Sequence, residues 1–270
     1  MLSRRHTLLA FAAFMGAASF GHINAEEGTP TPLRVGIMSG EDEDVWRVVS
    51  QNALKNGLKV EVVTFSEYNL PDEALAEHDV QANAFQHGPF LKAQIAAHGF
   101  HIVPVGNMYV SPIGLYSTKW HSVSELPKGA SIGVPNDPSN EGRALLLLQT
   151  QGLIKVSDSA GLLPTVLDIT DNPRNLNVKE LDAGVVGRAL SDLDAAVVNT
   201  DWAHKSGIDV VHQRIAQEAL QNNPYTNFIA VNEEDAKAPW VKKLVDAYQQ
   251  PNVKKVLLDV YHGSTLPAWP

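Results

Sequence analysis

The sequence predicts an α/β protein built as two sandwiches, each a mostly parallel sheet flanked by helices. Short, nearly continuous apolar runs rich in valine and isoleucine alternate with amphipathic stretches, as expected of strands covered by helices on both faces. Strand and helix follow one another along the chain, which joins parallel strands through helical crossovers. Two strands fit a segment passing between sheets better than the middle of one. "VSPIGLYS" (110–117) sets a proline beside a strand and a glycine within it, and "TNFIAVN" (226–232) follows the turn-like run Asn222-Asn223-Pro224.

Taken in order, strands are expected at 33–38, 59–65, 80–85, 101–105, 113–117, 131–134, 165–169, 195–199 and 228–231. Helices are expected at 45–55, 89–97, 140–151, 234–249 and 252–260. The acidic run Glu41 to Asp44 opens the first helix, where negative charge favours the dipole, and is read as a solvated helix start. Gly88-Pro89 turns the chain into the second. Asp137 is a good N-cap for the third, with Pro138 suited to its first turn. If both interrupted strands cross between lobes, the last helices pack back on the first lobe. The expected division is 1–25 as a signal peptide, 33–112 plus 231–270 as lobe 1, and 113–230 as lobe 2, with any ligand in the cleft between lobes.

The first 25 residues read as a secretory signal peptide: Arg4 and Arg5, then an uncharged and mostly apolar run, then Ala25 before acidic Glu26. "SRRHTLLAF" also loosely resembles a twin-arginine signal, so both export routes stay open. Removing this segment takes two arginines from 21 basic and 30 acidic residues, leaving a net charge of −11. That balance argues against nucleic acid and anionic membranes as partners. There is no cysteine, so no disulfide and no thiol for lipid attachment are available. A periplasmic protein without a lipid anchor is the expectation.

Catalytic motifs do not survive their context. "GASIG" (129–133) matches a nucleophile elbow as a string, but Ser131 follows a turn and opens a strand, where the motif needs a strand before the serine and a helix after it. His87, His98 and His101 do not converge as metal ligands should, and read as surface histidines. "GEDED" (40–44) lacks the central glycine and terminal glutamate of a calcium loop. No metal and no cofactor is expected. "VPNDPSNEGRALLLLQ" (134–149) is more informative, because Arg143 projects from the first turns of an apolar helix. An arginine at a helix N-terminus suits a carboxylate ligand; an ion pair with a surface acid fits the same residues.

Several long strings resemble one family, the methionine-binding NlpA/MetQ group of periplasmic substrate-binding proteins from ABC importers. They are "FSEYNLPDEAL" (65–75), "DVQANAFQHGPFL" (79–91), "VPNDPSNEGRALLLLQTQGLIK" (134–155), "GLLPTVLDITDNPRNL" (161–176), "AAVVNTDWA" (195–203) and "NPYTNFIAV" (223–231). The resemblance implies the periplasmic binding protein fold, two lobes joined by two crossover strands and closing on methionine or a close analogue. It implies a side-chain slot from Tyr68, Phe85, His87 and Phe90, a carboxylate site from Arg143 with Asn140, and polar contacts from Asn199 and Asn227. A thioether packs well on aromatic rings, and a buried zwitterion needs its charges paired.

It further implies a monomeric receptor serving a membrane permease and its ATPase, and not an enzyme. Two departures stand out: "SGEDEDV" replaces a common Pro-His pair in the first loop, and Phe90 stands where tyrosine is frequent. Substrate range could shift accordingly, toward D-methionine, a methionine dipeptide or another apolar amino acid; a receptor for another small amino acid or a sulfonate is the alternative within the class. A secreted hydrolase using Ser131 is the remote alternative.

Overall fold

Residues 31–110 give four strands, β1 (Leu33–Met38), β2 (Val60–Phe65), β3 (Ala82–His87) and β4 (Ile102–Val110), with α1 (Glu41–Lys55), α2 (Leu70–Ala76) and α3 (Gly88–His98) between them. The structure is a computed structural model and describes residues 31–270; the expected signal peptide lies outside the described residues. The middle of the chain supplies β5 (Gly114–Tyr116), β6 (Ser131–Pro135), the hairpin strands β7 (Lys155–Val156) and β8 (Ile169–Asp171), then β9 (Asn177–Leu181), β10 (Ala195–Val198) and β11 (Arg214–Gln217). Its helices are α4 (Pro138–Thr150), α5 (Ala183–Val186) and α6 (Thr200–Lys205). The chain ends with β12 (Thr226–Asn232), α7 (Pro239–Tyr248), α8 (Pro251–Val260) and β13 (Leu266–Pro267).

Apart from the β7-β8 pair, these strands form two sheets, one in each lobe. The first has the order β13-β4-β12-β3-β1-β2 and the second β11-β5-β10-β6-β9. Each contains a parallel trio, β3-β1-β2 or β10-β6-β9, extended by antiparallel strands. The antiparallel members flank the two passages between sheets, residues 111–113 after β4 and 218–225 after β11. "VSPIGLYS" thus carries the first passage, as its breakers predict. "TNFIAVN" differs: all of β12 belongs to the first sheet, between β4 and β3. The second passage lies before Thr226 and not after Ala230, because the apolar run from Phe228 has its pairing partners in the first sheet.

Each lobe has its own core. On α1, Val45, Trp46, Val49 and Ala53 repeat at helical spacing and are fully buried. They meet Trp240, Leu244, Tyr248 and Leu257 of the C-terminal helices, with the Trp46 and Tyr248 rings 5.6 Å apart. Burying each such side chain contributes about 1.5–3 kcal/mol, which is why the chain's end returns to the first lobe. In the second lobe Ala144, Leu145 and Leu148 of α4 pack on Ile132, Val134 and Val197. A third cluster joins the lobes, with Met38, Phe85 and Phe90 on one side and Val186, Val198 and Trp202 on the other.

Helix α4 approaches the loop after β7 closely at one glycine. A Cβ on Gly142 would stand 2.6 Å from the Leu162 carbonyl oxygen and 2.9 Å from Leu163 Cα, both backbone atoms. Gly142→Ala gains about 1 kcal/mol of helix propensity but overpacks a rigid contact, which costs about 1–3 kcal/mol. Because backbone yields less readily than a side chain, a net loss of stability is expected, read as a lower urea midpoint than wild type. An equal or higher midpoint would show that the loop yields.

Candidate functional site

The N-terminus of α4 organises one side of the gap between the lobes. Asp137 caps the helix, accepting from the Asn140 backbone N–H at 3.0 Å, and its two oxygens also accept from Asn140 Nδ2 at 3.0 and 2.9 Å. A carboxylate only accepts, so the Asn140 amide has one orientation. Its Oδ1 therefore accepts from Asn199 Nδ2 at 2.9 Å, which fixes Asn199 in turn. The Asn199 Oδ1 that results is buried without a hydrogen-bond partner among the described residues.

His87 stands opposite, as the N-cap of α3. Its Nδ1 accepts from the Phe90 N–H at 3.2 Å, which assigns the proton to Nε2, 3.4 Å from Asn140 Oδ1. Burial, with the nearby Arg143 charge, pushes the imidazole down to about 3, so it is neutral at physiological pH. Of the three histidines read as surface residues, His98 and His101 are exposed and His87 is buried. The reason is its place at the end of an entirely buried strand.

Arg143 is only 3% exposed and does meet an acid, Glu218. Nε lies 3.1 Å from both Glu218 oxygens, and Nη2 donates to Glu218 Oε2 at 2.6 Å and to the Ser111 carbonyl at 2.8 Å. The guanidinium also sits 4.1 Å from the Tyr225 ring centroid. Ser111 lies on one passage between lobes, Glu218 and Tyr225 on the other. Nη1 makes no hydrogen bond among the described residues.

Aromatic rings form the other part of the site. Tyr68 lies 6.2 Å from Phe85, 6.0 Å from Phe90 and 5.8 Å from Trp202, centroid to centroid. Its hydroxyl reaches across the lobes to the Asp201 carboxylate, at 2.6 and 2.8 Å. Asp42 is 4% exposed and accepts from Tyr109 at 3.0 Å and Tyr261 at 3.0 Å. Burial raises its carboxyl to about 7 despite those hydrogen bonds. Burial raises Asp201 too, with the Tyr68 hydroxyl opposing.

Tyr68, Phe85, His87, Phe90, Asn140, Arg143, Asn199 and Asn227 all line one cavity, together with Asp42, Gln86, Tyr109, Ser111, Asp201 and Tyr261. Asn227 has its amide on the Phe85 carbonyl at 3.0 Å. Ser131 lies elsewhere, its hydroxyl on Asp194 Oδ2 at 3.0 Å as part of a strand-end contact.

Sequence reading missed Asp42, Asp201 and Glu218. For Asp42 a signal existed: positions 42, 45, 46 and 49 share one helical face, and the last three are core residues. The solvated-start reading holds for exposed Glu43 and Asp44 and fails for Asp42. Glu218 carries no local signal, because its partner is 75 residues away.

The family model described as NlpA lipoprotein matches residues 33–269. The chain belongs to this family. It is 42% identical over 266 residues to the D-methionine-binding lipoprotein MetQ of Escherichia coli K12, covering 97% of this chain and 98% of that one. Lipoprotein 28 of the same strain is 41% identical, with 88% of each chain covered. A nutrient-binding protein of Burkholderia cenocepacia, solved bound to methionine, superposes with a TM-score of 0.85 at 48% identity, covering 88% of this chain and all of that one. A crystal structure of the methionine-binding protein MetQ gives 0.84 at 44% identity, covering 88% and 98%.

These relatives correct one expectation. Family and relatives are named lipoproteins, which conflicts with a protein free of any lipid anchor. The absence of cysteine excludes one attachment chemistry; it does not establish an untethered protein.

The raised Asp42 carboxyl makes a pH prediction. Unfolded, Asp42 ionises near pH 4; folded, it keeps its proton to about 7. Between those values the native state binds the extra proton, so this residue's contribution to stability falls as pH rises. Asp42→Asn removes the effect. Urea denaturation at pH 4.5 and 7.5 should therefore show the variant gaining about 1 kcal/mol or more on wild type at the higher pH; a pH-independent difference refutes it.

Proposed function

We propose that this chain is the solute-binding component of an ABC importer, taking methionine, L or D, or a close analogue between its lobes. The observation that carries this reading is the interlobe cavity, where Arg143 and the unpartnered Asn199 Oδ1 share walls with the Tyr68, Phe85 and Phe90 rings. An arginine, a free acceptor and an aromatic slot match the carboxylate, ammonium and thioether of one amino acid. Relatives named for methionine, and a neighbour solved with methionine bound, support the choice of ligand.

In this reading Arg143 meets the ligand carboxylate through its Nη1 edge, while Glu218 and Ser111 hold the other edge in place. Asn199 accepts from the ammonium. Asn140 orients Asn199 and His87 and has little capacity left for the ligand. Asn227 supports the Phe85 backbone. The working lobes are 33–110 with 226–270, and 114–217, hinged at 111–113 and 218–225. Contacts between lobes, such as Tyr68 to Asp201, form on closure. The closed monomer then delivers ligand to a permease driven by its ATPase. It is a binding protein and not an enzyme.

Methionine should raise the melting temperature of ligand-stripped protein by mass action and release measurable heat on titration. Neither effect with L- or D-methionine would reject the ligand. Arg143→Ala should weaken methionine binding by about 2–5 kcal/mol, the cost of leaving a buried carboxylate unpaired, measured by calorimetry. Glu218→Gln keeps the guanidinium and should cost far less; equal losses would move the carboxylate site elsewhere.

A further inference from the structure

Once its buried carboxyls ionise, the cavity holds more negative charge than a neutral amino acid needs. Arg143 is balanced by Glu218, and His87 is neutral. Two carboxylates remain on the cavity wall, Asp42 and Asp201, with no ion pair to either among the described residues. Lys205 lies over the Trp202 ring and acts on Asp201 only through space. Glu41 and Asp201 face Asp42 as further acids.

Two amide oxygens add to this. Asn199 Oδ1 is fixed as an unpartnered acceptor by the chain from Asp137 through Asn140. Gln86, 2% exposed, donates its Nε2 to Asp72 Oδ1 at 2.5 Å, so its unpartnered oxygen is fixed as well. One such acceptor serves the ammonium of an amino acid. The carboxylates are different, because tyrosine hydroxyls already donate to both: Tyr109 and Tyr261 to Asp42, Tyr68 to Asp201. Burial holds both carboxyls up, Asp42 to about 7, so on the alkaline side they offer charge without demanding hydrogens. The Tyr68, Phe85 and Phe90 rings stand 5.7 to 6.2 Å from one another beside Asp201, and aromatic faces attract compact cations that donate no hydrogen bond.

We propose that Asp42 and Asp201, with the Tyr68, Phe85 and Phe90 rings, form an onium subsite that favours the S-methyl sulfonium of methionine over methionine itself. The inference rests on the methionine-class reading and assigns the part of the same cavity where Tyr68 meets Asp201. A sulfonium keeps the amino-acid skeleton and adds one methyl and one positive charge, which the two carboxylates stabilise in a site of low dielectric.

The test is calorimetric titration of ligand-stripped full-length protein at pH 8 with L-methionine, S-methyl-L-methionine and L-lysine. The sulfonium should bind at least tenfold more tightly than methionine and more tightly than lysine, whose ammonium needs donors satisfied. In Asp201→Asn and, separately, Asp42→Asn, the ratio of sulfonium to methionine affinity should fall toward one; the second variant guards against misfolding of the first. Methionine binding equal to or tighter than sulfonium overturns the inference and leaves the methionine reading intact. Tighter binding of lysine, or a ratio unchanged in both folded variants, overturns it too. If neither methionine nor its sulfonium binds, the methionine reading itself fails.

Discussion

The site depends on the anchoring of Arg143. A guanidinium at 3% exposure is tolerable only if its donors are met. Here one edge is taken by Glu218 and the Ser111 carbonyl and its face lies on Tyr225. Those three partners occupy the two passages between the lobes. One side chain on α4 therefore ties a helix of the second lobe to both passages, and the planar fork that makes this possible is not shared by lysine. The free edge of Arg143 is thus held in a position set by the two passages.

A second consequence follows from hydrogen-bond direction. Asp137 caps α4 and in doing so orients Asn140, which orients Asn199 and faces His87 Nε2. Each step is forced, because a carboxylate cannot donate and a neutral imidazole has one donor. The polar wall is thus set by an ordinary helix cap. Across the gap, hydroxyls of Tyr68, Tyr109 and Tyr261 each end on a carboxylate, so the aromatic wall and the acidic wall are the same structure seen from two sides.

Much of this was legible locally. The apolar runs marked β1, β6 and β10, the Asp137-Pro138 start marked α4, and Gly88-Pro89 marked the turn into α3. The short elements were not: α2, β9, β11 and β13 are two to seven residues long, too brief for a periodic pattern, and are held by neighbours. The run at 165–169 reads as a strand but turns through a 3-10 segment at Val166–Asp168, where Asp168 binds back to the Thr165 N–H and hydroxyl.

The sequence by itself determined the class of fold and its two lobes, because periodicity, caps and long family-like strings are properties of contiguous residues. Tertiary structure alone decided what the side chains of the cavity wall do to one another. The pairing of Arg143 with Glu218, the burial of Asp42 beneath Tyr109 and Tyr261, and the contact of Tyr68 with Asp201 join residues 67 to 219 positions apart. Charge balance in a cavity is a sum over such distant partners, and no local pattern in the chain encodes it.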